Sequence, residues 1–340
     1  MFGDIPGKYP LCFGFVLVPG FSMMAFAAAI EPLRIANRMA ERQLYDWKLL
    51  SVDGAPVQAS NGIDFPMHNK LGEEEGVDVV VVCGGIDVHR YNEKKLFSWL
   101  RRLDRNGIDL GAICTGGHIL AESGLLDGYR CTIHWENLAA FSENFPDIEV
   151  SAQLFEVDRN RFTCAGGTAS ADMMLHLIAL QHGQDLANEV AEQIMHERIR
   201  SHDERQQMSV ANRIGARHSK LAGIISTMQQ NLEEPLTRTA LAKEANLSTR
   251  QLERLFRRYL NRSPARYYLE LRLQRARQLL LQTNMSVMNV ALACGFVSAS
   301  HFTKCYRAYF GRTPYRERGL PTLNVSQNQQ PELQVDEIAG

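Results

Sequence analysis

A stretch near the C-terminus contains one pattern written twice, and this repeat restricts the fold more than any other feature of the chain. Residues 236–264 form the first copy and residues 285–314 the second. Ala242 and Ala291 match at an offset of 49 residues, while positions after the turn match at 50, so the second copy has gained one residue. Each copy is typical of two helices around a short turn. The repeat therefore predicts a helical domain with two helix-turn-helix units.

In each copy, the residues at the turn and at the start of the second helix have suitable backbone preferences. Asn246 and Gly295 tolerate left-handed dihedrals, and Ser248 and Ser298 can cap the helix that follows. Apolar residues in that helix recur at helical spacing, which predicts one buried face. This face comprises Leu252, Leu255, Phe256 and Tyr259 in the first copy and Phe302, Cys305, Tyr306 and Tyr309 in the second.

The opposite face of each second helix carries basic and hydrogen-bonding side chains close to the helix N-terminus. A recognition helix presents such groups to base edges in the major groove of DNA. A single basic run is usually a solvated helix face, but two capped copies in register favour a nucleic-acid interface. The candidate DNA-contacting residues are Ser248, Arg250, Gln251, Arg254 and Arg257 in the first copy and Ser298, Ser300, His301, Lys304 and Arg307 in the second.

The second copy, ALACGFVSASHFTKCYRAYFGRTP, resembles the signature of the AraC/XylS family of regulators, and the resemblance extends over about residues 220–318. It implies two helix-turn-helix units joined by a linker helix over residues 265–282. It also implies that they enter successive major-groove segments of double-stranded DNA, about 10–10.5 bp apart. The expected function is that of a sequence-specific transcriptional regulator. An activator is the favoured form, with RNA polymerase as a candidate partner.

The charge is divided unevenly along the chain. Residues 1–205 contain 18 Lys and Arg against 29 Asp and Glu, a net charge of −11. Residues 206–320 contain 19 against 6, a net charge of +13, and residues 321–340 carry a net −3. Nucleic acid is the natural partner of the basic part, whereas the acidic part is expected to bind something else. The polar composition of residues 321–340 predicts a disordered tail.

The cysteines and the hydropathy of the sequence indicate where in the cell the protein is expected to be. Seven cysteines without a CxxC pair argue against a disulfide scaffold or a zinc ribbon, so no metal and no cofactor are expected. No apolar run is long enough to span a membrane, and the N-terminus does not resemble a signal peptide. The expected localisation is cytoplasmic.

The first two hundred residues alternate strand and helix patterns. The run VDVVVVC at residues 77–83 is typical of a strand covered on both faces. We therefore predict an α/β domain with a mostly parallel sheet in flavodoxin-like layers, followed by the all-α domain. A strand over 149–157, a hairpin around 158–160 and a helix over 186–200 are also predicted. Ligands bind at the carboxyl ends of such strands, here the loops at 19–24, 83–87, 114–118, 134–136 and 166–170.

Cys114 lies between a predicted strand and a predicted helix, an arrangement like a nucleophile elbow. The helix N-terminus there would lower the pKa of the thiol. The segments AICTGGHILAESGLL, TIHWENLAAF and AGGTASADMMLHLIA resemble the class I glutamine amidotransferase-like superfamily, which includes PfpI-type proteases, over about residues 11–182. In the PfpI-type enzymes a histidine directly follows the cysteine, whereas Thr115 stands here. The resemblance therefore implies a non-catalytic sensor, with Glu31 as the carboxylate that approaches the thiol.

Three roles remain open for Cys114: a packing or ligand-lining thiol, a redox-sensing thiol, and the nucleophile of an amidase or hydrolase. We assign no catalytic residue, because the chain lacks a positioned base beside the cysteine. The predicted organisation is a ligand-sensing and dimerisation domain over 1–200 and a linker over 201–218. The DNA-binding domain follows over 219–320, with the tail over 321–340.

AraC/XylS members with this sensor domain are similar to regulators of carnitine, glycine betaine and arginine catabolism. The resemblance implies a homodimer and a small amino acid or quaternary-amine carboxylate as effector. Backbone N–H groups at glycine corners can hold a carboxylate, and an aromatic face such as that of Trp135 can hold a cation. The expected ligand-binding residues are Glu31, Gly84, Gly85, Cys114, Thr115, His134, Trp135, Gly167 and Thr168.

Overall fold

A computed structural model describes residues 3–4, 7, 9–73, 76–206 and 219–318 of the chain. The chain divides into two compact units, Met1–Gln206 and Gln207–Gly340. Residues 201–206, which were predicted to be part of the linker, belong to the first unit. The rest of the predicted linker, 207–218, and the predicted tail lie outside the described residues.

The first unit is an α/β domain, as predicted. Its strands are β1 Leu11–Leu17, β2 Tyr45–Ser51, β3 Val57–Gln58, β4 Asp64–Phe65, β5 Asn69–Lys70, β6 Val79–Cys83, β7 Asp109–Ile113, β8 Arg130–Thr132, β9 Glu149–Ser151, β10 Phe155–Asp158 and β11 Arg161–Cys164. Seven strands form the main sheet in the order β10-β11-β7-β6-β1-β2-β5, and only the β10–β11 pair is antiparallel. Two small sheets pair β3 with β4 and β8 with β9.

Helices cover both faces of the main sheet. They are α1 Met23–Met39, α2 Lys94–Arg105, α3 Gly117–Glu122, α4 Leu138–Asn144, α5 Ala169–His182 and α6 Gln184–Gln193, with a 3-10 turn at Val88–Arg90. The helices α1, α5 and α6 share one hydrophobic core, and α2, α3 and α4 share the other. In β6, Val79 and Val81 enter the first core while Val80 and Val82 enter the second. The prediction of a strand covered on both faces is confirmed.

Two predicted elements are wrong. The helix expected over 186–200 ends at Gln193, because Met195 has a left-handed φ of +53° and the His196 backbone N–H donates to the Ala191 carbonyl, which closes the last turn. The strand expected over 149–157 is two strands, since β9 pairs with β8 and only β10 joins the main sheet. The hairpin around 158–160 is confirmed by the pairing of β10 with β11.

The second unit is all-helical, with both helix-turn-helix units attached to one long helix. Its helices are α7 Ser219–Gln230, α8 Arg238–Glu244, α9 Thr249–Leu260, α10 Pro264–Gln282, α11 Val287–Ala293, α12 Ala299–Phe310 and α13 Pro314–Arg318. The first copy packs with α7 around Tyr268 of α10, and the second copy packs around Leu273, Ala276 and Leu280 of the same helix. The predicted linker helix therefore contributes to both cores. In the described part of the chain, no helix is both long and apolar enough to cross a membrane.

We expect the α/β unit to lose stability in mild acid because of His118. The ring of His118 is buried on α3, with the Phe145 ring centroid 5.2 Å away. Burial, together with the nearby His89, lowers the pKa of His118 to about 4, although the half-exposed carboxylate of Glu122 lies 3.7 Å away. A free histidine has a pKa near 6.5, so the unfolded chain binds the proton first. The contribution of His118 to the free energy of unfolding is therefore complete above about pH 6.5, and it falls by about 2 kcal/mol at pH 5.

Urea unfolding of wild type and His118→Phe at pH 7 and pH 5 measures this effect. The variant should lose less stability between the two pH values than the wild type does. Equal pH dependence in wild type and His118→Phe would contradict the assignment.

Candidate nucleic-acid interface and candidate ligand site

Both copies of the repeat adopt the same capped turn. Asn246 has a φ of +53° and Gly295 a φ of +73°, so each turn uses the left-handed conformation that its residue favours. The Ser248 hydroxyl accepts a hydrogen bond from the Gln251 backbone N–H at 3.2 Å. The Ser298 hydroxyl accepts one from the His301 backbone N–H at 3.3 Å. The predicted N-caps of α9 and α12 are thereby confirmed.

One face of each second helix is buried and the other is in solvent. Phe256 in α9 and Phe302 in α12 are fully buried, as the spacing of the apolar residues predicts. The outward residues lie beside two open grooves, one at Arg254 and Arg257 and the other at Lys304. The structure places all the predicted basic contact residues on these exposed faces, namely Arg250, Arg254, Arg257, Lys304 and Arg307.

The side chains of Gln251 and His301, both predicted contact residues, also have local partners. The Gln251 side-chain oxygen accepts a hydrogen bond from the Ser248 backbone N–H at 2.8 Å, which completes a capping box. Its side-chain amide N–H groups can still donate to a base. His301 Nε2 lies 3.3 Å from Cys305 Sγ, and its ring centroid lies 5.8 Å from that of Phe296. These contacts restrict the orientation of both side chains before any DNA is bound.

The linker helix α10 holds both copies through side chains one turn apart. The Tyr268 hydroxyl donates to the Asn231 carbonyl and accepts from the Leu236 backbone N–H. Arg272 donates to the Cys294 and Gly295 carbonyls, each at 2.7 Å, and its guanidinium lies 4.1 Å from the Phe296 ring centroid. The backbone groups at the second turn are therefore satisfied by the linker helix. The sequence of the two repeat copies does not predict these contacts with α10.

Val297 is an exposed apolar residue that was not among the predicted DNA-contacting residues. It is the residue gained by the second copy, and it directly precedes the cap Ser298. Its exposure is 90 %, which is unusual for valine. An apolar side chain at the N-terminal end of a recognition helix can contact the methyl group of thymine. The change of offset from 49 to 50 residues was the signal that could have identified it.

In the first unit, Cys114 directly follows β7 and has a φ of +59°, a conformation that non-glycine residues rarely adopt. This agrees with the predicted elbow. Burial raises the pKa of its thiol to about 12, against opposing hydrogen bonds from the Thr115 backbone and the Ser22 hydroxyl, and the Glu136 carboxylate raises it further. The prediction that a helix N-terminus lowers this pKa is wrong, because the loss of hydration outweighs the local donors.

Glu31 does not have the role predicted for it. Its carboxylate accepts from Arg34 Nη2 at 2.6 Å on an exposed turn of α1, and Ser22 is the residue that hydrogen bonds to the Cys114 thiol. Ser22 also caps α1, with its hydroxyl accepting from the Ala25 backbone N–H at 3.3 Å. Because one hydroxyl serves both contacts, the start of α1 is linked directly to the elbow.

The glycine corner at Gly84 and Gly85 is filled by protein backbone. A Cβ atom on Gly85 would lie 1.9 Å from the Gly20 carbonyl oxygen, and one on Gly84 would lie 2.4 Å from the Gly116 nitrogen. The Gly84 N–H donates to the Ile113 carbonyl, and the buried Thr115 hydroxyl donates to the Gly85 carbonyl at 2.7 Å. These groups join neighbouring loops, so the open cradle of N–H groups predicted at Gly84 is not present. The Thr115 hydroxyl is likewise occupied.

Two other loops meet at Cys114. Gly166 packs so closely that its Cβ would lie 2.7 Å from the Cys114 Cβ. The His134 backbone N–H donates to the Cys114 carbonyl at 3.2 Å. The His134 and Trp135 rings have centroids 5.6 Å apart, and burial lowers the pKa of His134. Cys114, His134 and Trp135 thus belong to loops that converge at the carboxyl ends of β7 and β11, as predicted.

Gly167 and Thr168 lie on the open side of this cluster. A Cβ on Gly167 would meet nothing within 4 Å, and the exposed Thr168 hydroxyl accepts from Arg200 Nη2 at 2.7 Å. Of the nine predicted ligand residues around the elbow, Thr168 is exposed, and Cys114, His134, Trp135 and Gly167 keep part of their surface accessible. Their role in binding stays a prediction.

Comparison with known proteins agrees with this two-part architecture. Residues 241–319 match the model of the helix-turn-helix domain, and residues 16–180 match that of the DJ-1/PfpI family. The HTH-type transcriptional regulator GbdR of Pseudomonas aeruginosa (strain UCBPP-PA14) is 48% identical over 311 residues, which cover 92% of this chain and 85% of that protein. CdhR of P. aeruginosa PAO1, also an HTH-type transcriptional regulator, is 48% identical over 313 residues, covering 92% of this chain and 93% of that protein.

A solved structure resembles about half of this chain. The crystal structure of an AraC family transcriptional regulator from Pseudomonas putida superposes with a TM-score of 0.51 at 30% identity, covering 54% of this chain and all of that one. This chain belongs to the AraC family of transcriptional regulators. As a member of that family, it binds DNA through the two helix-turn-helix units, and its first unit is a DJ-1/PfpI domain.

A buried carboxylate in the DJ-1/PfpI domain of this AraC-family regulator was not among the predicted site residues. Asp172, on the first turn of α5, is fully buried. It accepts from His196 Nε2 and the Arg200 backbone N–H, each at 2.7 Å, and from Arg200 Nε at 2.9 Å and Nη2 at 2.6 Å. An acid within the mostly apolar sequence of α5 was the available signal, since a buried charge needs partners.

The residues that follow in this AraC-family regulator contact a second loop of the candidate ligand site. Gln206 Nε2 donates to the Thr132 hydroxyl and the Ile133 carbonyl, each at 2.9 Å, next to His134. The Leu154 backbone N–H donates to the His202 and Glu204 carbonyls. We call residues 196–206 the C-terminal strap of the first unit. The strap contacts the loop at Thr168 through Arg200 and the loop before His134 through Gln206.

Proposed function

We propose that this AraC-family regulator binds a small carboxylate metabolite, such as an amino acid, glycine betaine or carnitine, beside Cys114, and that binding changes its affinity for DNA. The ligand is held by Gly167, Thr168, His134 and Trp135 and is not turned over. The protein acts as a homodimer through its first unit and as an activator that contacts RNA polymerase.

The observation that carries the proposal is the contact of the C-terminal strap with two loops of the candidate site. Arg200 bonds to Thr168 on one loop, and Gln206 bonds to the backbone beside His134 on the other. A ligand between these loops changes the positions of both, and the strap continues directly into the chain that leads to the DNA-binding unit. Coupling requires that the ligand has different affinities for two states of the protein, and the strap offers a physical element that can distinguish them.

The chemistry at the elbow supports binding without turnover. The raised pKa of the Cys114 thiol keeps it protonated at neutral pH, and a protonated thiol is a weak nucleophile. A protonated thiol also reacts slowly with peroxide. The Trp135 ring and the neighbouring Glu136 carboxylate can bind the quaternary amine of a ligand. The Arg200 guanidinium, which donates to the Thr168 hydroxyl, can bind the carboxylate of the same ligand.

A thermal-shift screen of the full-length protein against amino acids, betaines and carnitine tests the proposal. A ligand that binds only the native state should raise the melting temperature of the first unit, and it should change DNA affinity at the same concentration. Cys114→Ser should keep both responses, and NMR should recover the ligand unaltered. If the wild-type protein converted the ligand to a product and Cys114→Ser did not, the protein would instead be an amidase or hydrolase. Peroxide alone changing DNA affinity would make it a redox sensor.

We expect Arg254→Ala to weaken DNA binding by about 1–3 kcal/mol at one base-pair position, because a bidentate arginine–guanine contact has that value. Selection of sites from a random duplex pool would show relaxed preference at that position. Arg316 is exposed on α13 outside the recognition helices, so Arg316→Ala serves as the control and should keep the site preference. A uniform loss of affinity on all sequences would reassign Arg254 to phosphate contact.

A further inference from the structure

The outer face of α2 is strongly basic although the first unit is acidic. The helix contains Lys94, Lys95, Arg101, Arg102 and Arg105 among its twelve residues, and all five are exposed. Residues 1–205 hold only 18 Lys and Arg against 29 Asp and Glu, so more than a quarter of these cations lie on one helix. A local excess of this kind creates a positive potential on a surface that is elsewhere negative.

The acids of this helical segment do not neutralise its outer face. Asp104, the only acid within α2, pairs with the guanidinium of the buried Arg161 and is thereby directed toward the protein. The carboxylate of Glu93 caps the helix by accepting from the Lys95 backbone N–H at 3.2 Å. Among the described residues, Lys94, Lys95 and Arg105 form no ion pair.

The apolar side of α2 fixes the orientation of this basic face. Leu96, Phe97, Trp99, Leu100 and Leu103 are buried in the core that α2 shares with α3 and α4. The cations from Lys94 to Arg105 are therefore presented in a constant arrangement over about 16 Å of helix. A duplex carries one negative charge about every 1.7 Å along its axis, so this length faces several phosphates.

We propose that the outer face of α2 contacts the phosphate backbone of the DNA that the recognition helices bind. Both units belong to one chain. Once the recognition helices have bound the DNA, the local concentration of DNA near α2 is therefore high, and α2 can bind the same duplex. The remaining surface of the first unit, with its acidic excess, is repelled by DNA. The position of α2 therefore determines which side of this unit can approach the duplex.

Composition favours DNA over a second copy of the chain as the occupant. Protein–protein interfaces are built around apolar and aromatic anchors and are depleted in lysine. The apolar residues of α2 are all buried, and the exposed side presents Lys94 and Lys95. Phosphate contacts need no apolar anchor and use lysine and arginine directly.

The test compares two triple variants of the full-length protein that lose the same charge. K94Q/K95Q/R105Q removes cations from α2. R38Q/R42Q/K70Q removes three exposed cations from other parts of the first unit. The probe is a duplex that the wild-type protein selects from a random pool, with natural-length flanks on both sides. The dissociation constant is measured over a range of salt concentrations.

We expect the α2 variant to lower the slope of log K against log salt by about 0.9 for each lost phosphate contact, and thus by about 2–3 in all. The control variant should keep the wild-type slope. Equal slopes in the two variants would overturn the proposal, since the effect would then be one of net charge. Sedimentation that shows altered subunit assembly in the α2 variant without DNA would assign the face to a second copy and overturn it as well.

Discussion

Asp172→Asn is expected to lower the free energy of unfolding of the first unit by about 3–5 kcal/mol, the loss typical of breaking a buried ion pair from one side. The substitution leaves the Arg200 guanidinium beside a neutral amide and replaces one acceptor oxygen by an N–H donor. The chain has three tryptophans, Trp47, Trp99 and Trp135, all in this unit. Urea unfolding followed by tryptophan fluorescence therefore reports on the first unit specifically.

The matched control lies in the same C-terminal strap. Glu204 accepts from both terminal nitrogens of Arg198, and this pair holds the pKa of Glu204 at about 2, yet the pair lies at the surface. Solvent screens such pairs, so Glu204→Gln should cost only a small part of the loss in Asp172→Asn. Asp172→Asn should also make DNA binding insensitive to the ligand, because Arg200 no longer has a fixed place beside Thr168. An equal loss of stability in the two variants would contradict the role of Asp172.

Gly85→Ala should lower the free energy of unfolding by about 3 kcal/mol, the upper part of the usual range for overpacking. The added Cβ would lie 1.9 Å from the Gly20 carbonyl oxygen, and that oxygen belongs to backbone that cannot rotate away. The loss should be the same with and without ligand, because the contact belongs to the fold. Urea unfolding in both conditions measures it.

Gly167→Ala is the complementary change in the same cluster of loops. Gly167 has a φ of +57° and open space around its Cβ position, so alanine there costs about 1 kcal/mol from the left-handed conformation alone. The added methyl group would lie in open space beside the loops that we propose to hold the ligand, so ligand affinity should fall more than stability does. If Gly85→Ala were as stable as wild type and lost only ligand affinity, the corner at Gly85 would be part of the ligand site.

The sequence predicted the second unit well because its determinants are local. A cap such as Ser248 lies three residues from the N–H that it accepts from, and a turn residue such as Gly295 acts on its own backbone. Because the pattern occurs twice, each cap and each turn residue was predicted independently in two places. Val297 shows the limit of this approach, since a residue gained between two matched positions has no counterpart for comparison.

The candidate ligand site was harder to predict because its contacts join residues far apart in the chain. Asp172 and Arg200 are 28 residues apart, and Thr115 and Gly85 are 30 apart. No local pattern indicates that a glycine corner is closed by another loop or that Ser22, rather than Glu31, reaches the thiol. The pKa of Cys114 was misjudged for the same reason. The donors near it are visible in the sequence, whereas the burial that raises its pKa depends on the assembled sheet.

The attachment of both helix-turn-helix units to α10 has a consequence for the promoters that this regulator can use. Tyr268 and Arg272 are one turn apart on a helix that contributes to both cores, so the protein sets the distance between the two bound DNA segments. One extra base pair in the spacer would turn the second segment by roughly 35° around the duplex axis. Spacer length should therefore be invariant among its binding sites, and those sites should diverge by base substitution instead of insertion.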